Sequence, residues 1–236
     1  MQYTPPLRPG LHPGLDQLLA SRGRDLAWLN SSEDVESDAN IARLNLTEAA
    51  KIVPFHYRTA IATEPAVRDW VDAVALHARQ QQTARGGLVA SVHRGPSLLL
   101  LGQTGVGKTH QAFGAIRDLA ITGVIARWTV TTAADMYAAL RPRHGVDSEN
   151  EFEKYRNARL LLVDDLGAGR QVTEFTEAIN FRLVNHRYEH HLPTLFTSNV
   201  TPDELAGRLG DRVVSRLREM TQRIVLKGND RRREAA

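Results

Sequence analysis

Between Leu101 and an amphipathic run, the chain reads Gly102-Gln103-Thr104-Gly105-Val106-Gly107-Lys108-Thr109. This is the G-x-x-x-x-G-K-[ST] pattern, whose residue types suit a phosphate cradle. Glycines let successive backbone N–H groups converge on phosphate oxygens with no Cβ in the way. A helix starting at the end of the loop adds the partial positive charge of its N-terminus. Lys108 has the reach to meet β- and γ-phosphates, and the Thr109 hydroxyl can ligate Mg²⁺. The expected cofactor is ATP with Mg²⁺, and the expected binding set runs from Gly102 through His110.

A second cluster follows at Leu160-Leu161-Leu162-Val163-Asp164-Asp165. Four apolar residues read as a buried strand, and the two carboxylates emerge at its C-terminal end, where ligands sit in open α/β sheets. Asp164 is expected to hold Mg²⁺ with Thr109, and Asp165 to orient and activate a water. A third apolar run, Leu195-Phe196-Thr197-Ser198-Asn199, also ends in polar residues. Asn199 would face the γ-phosphate if its strand lies between the other two. Arg212 and Arg216 stand four apart on a predicted helix. Two readings are open for them: solvated or salt-bridged surface residues, or a finger reaching a neighbouring subunit's ATP.

Positioning these groups requires a parallel sheet. From Ser97 onward, buried apolar runs alternate with amphipathic segments, the pattern of strands joined by crossover helices. Strands are expected at Leu98–Leu101, Val124–Val130, Leu160–Val163, Thr194–Thr197 and Arg223–Leu226. Helices are expected at Gly107–Ile121, Ala133–Leu140, Glu149–Asn157, Val172–Tyr188 and Pro202–Glu219. Upstream, Thr47 reads as the cap of a short helix over Glu48–Ile52, and Glu64–Gln82 as a longer one. Residues 1–40 read as a loose, proline-opened arm ending in an acidic Ser-rich linker. Its stripe of Leu15, Leu18 and Leu19 has little of its own to pack against, which points to a partner-binding helix. The expected division is an arm over 1–45, a helical lead-in over 46–95 and an ATPase core over 96–236.

At 236 residues the chain fits one α/β domain with a smaller appendage. A formal charge of +3 with a pI near 9.4 leans towards a polyanionic partner. The absence of cysteine excludes disulfides and a Cys-based zinc knuckle. No apolar run is long enough for a membrane span, so the expectation is a cytoplasmic protein without a membrane partner.

The ordered set of motifs resembles the AAA+ helicase loaders of the DnaC and DnaI type, and equally the IstB-type transposition ATPases. It comprises the P-loop, Val163-Asp164-Asp165-Leu166-Gly167, Asn185-His186-Arg187-Tyr188, Thr197-Ser198-Asn199 and Gly210-Asp211-Arg212 with Ser215-Arg216-Leu217. Val53-Pro54-Phe55-His56-Tyr57-Arg58 resembles the short element ahead of that domain. The resemblance implies a three-layer αβα sandwich around a five-stranded parallel sheet of order 5-1-4-3-2, preceded by a small helical N-terminal arm. It makes Arg216 the first finger candidate and Arg212 the second, and it puts a nucleotide-sensing arginine at Arg232, with Arg231 the alternative. The segment Ala133–Asn157 corresponds to one that touches single-stranded DNA, with Arg141 and Arg143 among its cations.

Three functions fit these residues. The first is an ATPase that self-associates and loads a ring-shaped replicative helicase onto single-stranded DNA. The second is an IstB-like ATPase that binds duplex DNA and activates a transposase. The third is an ATP-switched adaptor with little hydrolysis.

Overall fold

In the computed structural model, residues 3–8, 12–145, 147–169 and 173–230 are described below. The chain divides into two compact units, Met1–His93 with His110–Arg127, and Arg94–Thr109 with Trp128–Ala236.

The second unit carries the sheet. Strands β1 (Ser97–Leu101), β2 (Trp128–Thr132), β3 (Leu160–Asp164), β4 (Thr194–Ser198) and β5 (Thr221–Val225) lie in the order β2-β3-β4-β1-β5. Every pairing is parallel, and this is the expected 5-1-4-3-2 order read from the other edge. The central strands β1 and β4 are buried along their whole length, as the unbroken Leu98–Leu101 run requires. The edge strands are more polar, and β5 exposes Gln222, Arg223 and Val225. One sheet face, bearing Leu99, Leu101, Leu161, Val163 and Phe196, shares a core with α9 (Leu205–Leu209) and four further helices. These are α6 (Ala133–Leu140), α7 (Ser148–Arg156), α8 (Glu174–Glu189) and α10 (Asp211–Met220), through side chains such as Met136, Phe152, Leu183 and Leu217. Leu98, Leu100, Leu160, Leu162 and Leu195 on the other face are buried too, as in a sheet covered by helices on both sides.

Two expected elements of this unit change. The single helix over Pro202–Glu219 is two, α9 (Leu205–Leu209) and α10, because Gly210 takes φ 85° and ψ 147° between them. That positive φ is one L side chains rarely adopt, so the break favours glycine. The strand expected at Val124–Val130 begins only at Trp128. Residues before it instead hydrogen-bond to the Ala90–Val92 segment, through Ile125.

The first unit contains α1 (Leu15–Ala20), α2 (Leu26–Leu29), α3 (Asp38–Ile52), α4 (Pro65–Arg85) and most of α5 (Lys108–Ala120). Its N-terminal segment is not a loose arm. Leu15, Leu18, Leu19 and Leu29 are at most 4% exposed and share a core with Ala42, Leu46, Ala120 and Ile121. The stripe expected to dock a partner is therefore interior. Helix α3 also starts earlier than expected, capped by the Ser37 hydroxyl on the Asn40 N–H. Thr47 then lies mid-helix and bonds back to the Arg43 carbonyl instead of capping.

Both units use arginine as an internal brace. Arg187, 0% exposed, donates to Thr194 Oγ1 and to the carbonyls of Tyr155, Arg156, Ala158 and Pro193 at 2.6–3.1 Å. It thereby ties the end of α7 to the starts of β3 and β4. Burial holds its pKa down to about 9. Arg187→Met fills the volume with no donor, leaving several buried acceptors unpaired. A loss on the order of 3 kcal/mol or more is expected. Urea unfolding will measure it, and wild-type stability would show that the brace carries no weight.

Candidate nucleotide site

The P-loop leaves β1 through Gly102, which has φ 150° and sits so close to the Leu226 carbonyl that no side chain fits. Gly105, at φ 88°, is flanked in the same way by the Asp230 carboxylate. Gly102 is thus required by the chain's own backbone packing, and Gly105 is favoured by its positive φ, apart from any phosphate. The loop runs into α5 at Lys108, and Gly107 precedes it at φ 99°. Lys108 is 6% exposed, and its Nζ donates to the Gly102 and Gln103 carbonyls at 2.8 and 2.9 Å. Thr104 is an exposed residue of the loop, and Val106 is buried beneath it.

Asp164 ends β3 within reach of this loop. Thr109 Oγ1 donates to its two carboxylate oxygens at 3.1 and 3.2 Å, and Thr197 Oγ1 donates to Oδ1 at 2.5 Å. Burial raises the Asp164 pKa above the ordinary carboxylate value. The Thr197 hydrogen bond opposes that shift, Asp165 adds to it, and Thr109 and Lys108 oppose it. A carboxylate beside a threonine hydroxyl is a hard-oxygen donor pair that fits Mg²⁺. Among the described residues, no group of three or more His, Cys, Asp or Glu side chains could hold a metal. An ion here would complete its shell with phosphate and water, as Mg²⁺ commonly does.

Asp165 is exposed and adopts φ 57°, a left-handed conformation that Asp tolerates better than most residues. Its N–H donates to Thr197 Oγ1 at 2.9 Å. The following turn is pinned to β4 by Leu166 N–H on the Thr197 carbonyl and Ser198 Oγ on the Leu166 carbonyl. Asn199, just past β4, lines a cavity of about 290 Å³ with Gly102, Gln103, Val106, Leu226 and Lys227. Thus Asn199 and the start of the P-loop face one space.

The arginines fall differently. Arg216 is held within its own unit: it pairs with Glu219 at 3.3 Å, donates to Asn185 Oδ1 at 3.3 Å and lies over the Tyr188 ring at 4.7 Å. Arg212 is exposed near the start of α10, 5.9 Å from the Phe181 ring centroid. His110 is the third residue of α5 and belongs to the first unit. Arg231 and Arg232 lie outside the described residues.

Sequence reasoning assigns no role to Thr197 or Asp230. A threonine in a strand satisfies β propensity alone, so only the placement of β4 beside β3 reveals its hydroxyl as the link between both aspartates. Asp230 carries no signal either, because its contact with Gly105 joins residues far apart in sequence.

The model of the IstB-like ATP binding proteins matches residues 57–233. The chain belongs to that family. Among curated proteins, the replicative helicase loader DnaC of Escherichia coli K12 is 26% identical over 125 residues, 52% of this chain and 50% of DnaC. The loader DnaI of Bacillus subtilis is 27% identical over 115 residues, 48% of this chain and 36% of DnaI. The chain thus spans about half or less of the length of these curated relatives. A crystal structure of the DnaC helicase loader superimposes with a TM-score of 0.55 at 22% identity, covering 74% of this chain and all of that one. The fold is that of the AAA+ P-loop proteins, and membership brings the Gly102–Thr109 loop into an ATP-binding family.

Thr197 generates the test of this geometry. Thr197→Val keeps the shape but removes the acceptor for the Asp165 N–H and the donor to Asp164. A cost of about 1–3 kcal/mol is expected. Thr197→Ser should restore most of it, as read by urea unfolding of the three proteins side by side. Equal stability of the valine and serine forms would deny the hydroxyl its role.

Proposed function

We propose that this protein is an ATP-hydrolysing assembly factor that loads a ring-shaped replicative helicase onto single-stranded DNA. The observation that carries the chemical half is the convergence of Lys108, Thr109, Asp164 and Asp165 on one end of the sheet. The biological half is supported by the two matched relatives, both named replicative helicase loaders. In this reading Lys108 meets the β- and γ-phosphates, and Thr109 and Asp164 hold Mg²⁺. Asp165 activates the water, and Asn199 positions it. Gly102 through His110 supply the cradle, and Arg232 senses the nucleotide. Subunits self-associate, and an arginine of α10 stabilises the transition state in trans. Arg216 is the first candidate on resemblance, but its partners Glu219, Asn185 and Tyr188 would have to release it. Exposed Arg212 needs no such release.

The family itself favours a second reading, an IstB-like ATPase that binds duplex DNA and activates a transposase. The two readings differ in the DNA they prefer. The exposed turn after α6 presents Arg141, Arg143 and His144 and supports a phosphate-contacting role. Loading predicts ATP-dependent binding to single strands that weakens steeply with salt. Neutralising Arg141 and Arg143 together should lower both the affinity and the salt slope, the latter by about 1–2. Fluorescence anisotropy with matched single-stranded and duplex oligonucleotides decides between them, since a duplex preference would move the assignment to transposition. A helicase-loading assay on single-stranded circles then tests the partner directly. It should use the full chain, because trimming residues 1–40 would remove part of the core of the first unit.

Asp165→Asn separates binding from hydrolysis. Asparagine tolerates the same left-handed backbone and keeps the hydrogen bond to Thr197, but it is no base. ATP should bind as before while turnover falls at least about tenfold. Lys108→Ala should lose both. Normal hydrolysis by Asp165→Asn would leave the water activated elsewhere.

A further inference from the structure

A cavity of about 220 Å³ lies within the first unit, lined by no residue of the candidate nucleotide site. Its walls include Leu46, Ala49 and Val53 from α3 and its C-terminal end, with His12, Arg58 and Arg117 around them. Arg117, on α5, is 5% exposed. It donates to the Ala60 and Pro13 carbonyls, both at 2.7 Å. Those bonds use two of its five N–H donors, leaving three for another acceptor.

The charge of this cavity is one-sided. Arg117 and Arg58 line it, His12 stands beside Arg117, and no carboxylate is among the described lining residues. The acids next in sequence to wall residues Arg117 and Ala49 are paired elsewhere. Asp118 on α5 pairs with Arg22 at 2.6 Å, and Glu48 on α3 pairs with Lys51 at 2.6 Å. Burial lowers the pKa of Arg117 to about 10, and burial together with Arg117 lowers that of His12. Both shifts mark a site that disfavours its own positive charge. A brace needs no open space beside it, and this cavity opens to solvent past the exposed Ala50 and Arg58.

We propose that this cavity binds a small aliphatic carboxylate, its acid group on Arg117 and Arg58 and its short apolar stem against Leu46, Ala49 and Val53. The volume lies below the roughly 300–1,000 Å³ usual for larger ligands, which limits the stem to a few carbons. Charge-assisted hydrogen bonds to a desolvated guanidinium supply the affinity, and the aliphatic wall selects a stem over a bare anion.

The probe is isovalerate, titrated into the full chain at fixed ionic strength and followed by saturation-transfer NMR and calorimetry. Isovaleramide, of the same shape but uncharged, and inorganic phosphate, charged but without a stem, serve as comparisons. Isovalerate should bind, and each comparison should be at least about tenfold weaker, the size expected for losing one charge-assisted bond or the apolar contact. Arg58→Ala should weaken isovalerate about tenfold on the same grounds. Because Arg117 also braces the backbone, the decisive variant is Ala50→Leu. Ala50 is an exposed helical residue lining the cavity, so leucine there fills the space and leaves the Arg117 bonds intact. A folded Ala50→Leu protein that no longer binds isovalerate supports the site. Undiminished binding by Ala50→Leu, equal binding of the amide or of phosphate, or no binding of isovalerate at all would each overturn it.

Discussion

Because β4 hydrogen-bonds to β1 on one side and to β3 on the other, the three strands that carry chemistry end at the same level. Leu101 pairs with Ser198, and Val163 pairs with Phe196. The residues just beyond are then gathered at one end of the sheet, although the sequence separates them widely. Thr197 can bridge Asp164 and the Asp165 N–H only in this register. A slip of one residue would turn its hydroxyl to the opposite face of the sheet. The Asp165 turn, the Leu166 and Ser198 bonds that pin it, and the cavity under Asn199 all follow from that one pairing.

The arrangement is held by an uncommon use of charge. Arg43, Arg117 and Arg187 are each at most 5% exposed and donate to carbonyl, amide and hydroxyl oxygens, with no ion pair to a described carboxylate. A buried ion normally demands a counter-ion. Here several carbonyl dipoles replace it, and the planar five-donor fork lets one side chain collect loop ends from different elements. Arg43 gathers Thr4, Leu29 and Ser32 onto α3, which orders the described part of the N-terminal segment without a disulfide. Arg187 does the same beneath the sheet. Such braces are specific because lysine, with one nitrogen, cannot span the same acceptors.

How far the sequence discloses this depends on the range of each interaction. The P-loop is legible because phosphate binding demands glycine, lysine and threonine at fixed spacing within eight residues. The strand order follows from resemblance, and the runs of leucine place the strands themselves. The Leu15–Leu19 stripe misleads because its cover is assembled from separate elements, Leu29, Ala42 and Leu46 nearby and Ala120 and Ile121 about a hundred residues later. The break at Gly210 is hidden because a single glycine inside a helical pattern does not disclose the positive φ it takes there. Arg187 is visible as part of a motif, but nothing local distinguishes a brace from a surface arginine.

The same balance governs the candidate site. Its two central charged groups are already engaged by the chain: Lys108 by two loop carbonyls, Asp164 by two threonine hydroxyls. These partners are neutral, and that matters for binding. An ammonium on carbonyls and a carboxylate on hydroxyls are held and aimed by groups that a ligand can displace. In the proposed reading a phosphate would gain more from Lys108 than the two carbonyls lose, because the exchange would replace neutral acceptors by an anionic one. For Asp164 the raised pKa works in the other direction, since a cation must displace any proton it carries. In the proposed reading a cation and a proton therefore compete for Asp164, and acid should weaken the cation site before it weakens the phosphate cradle.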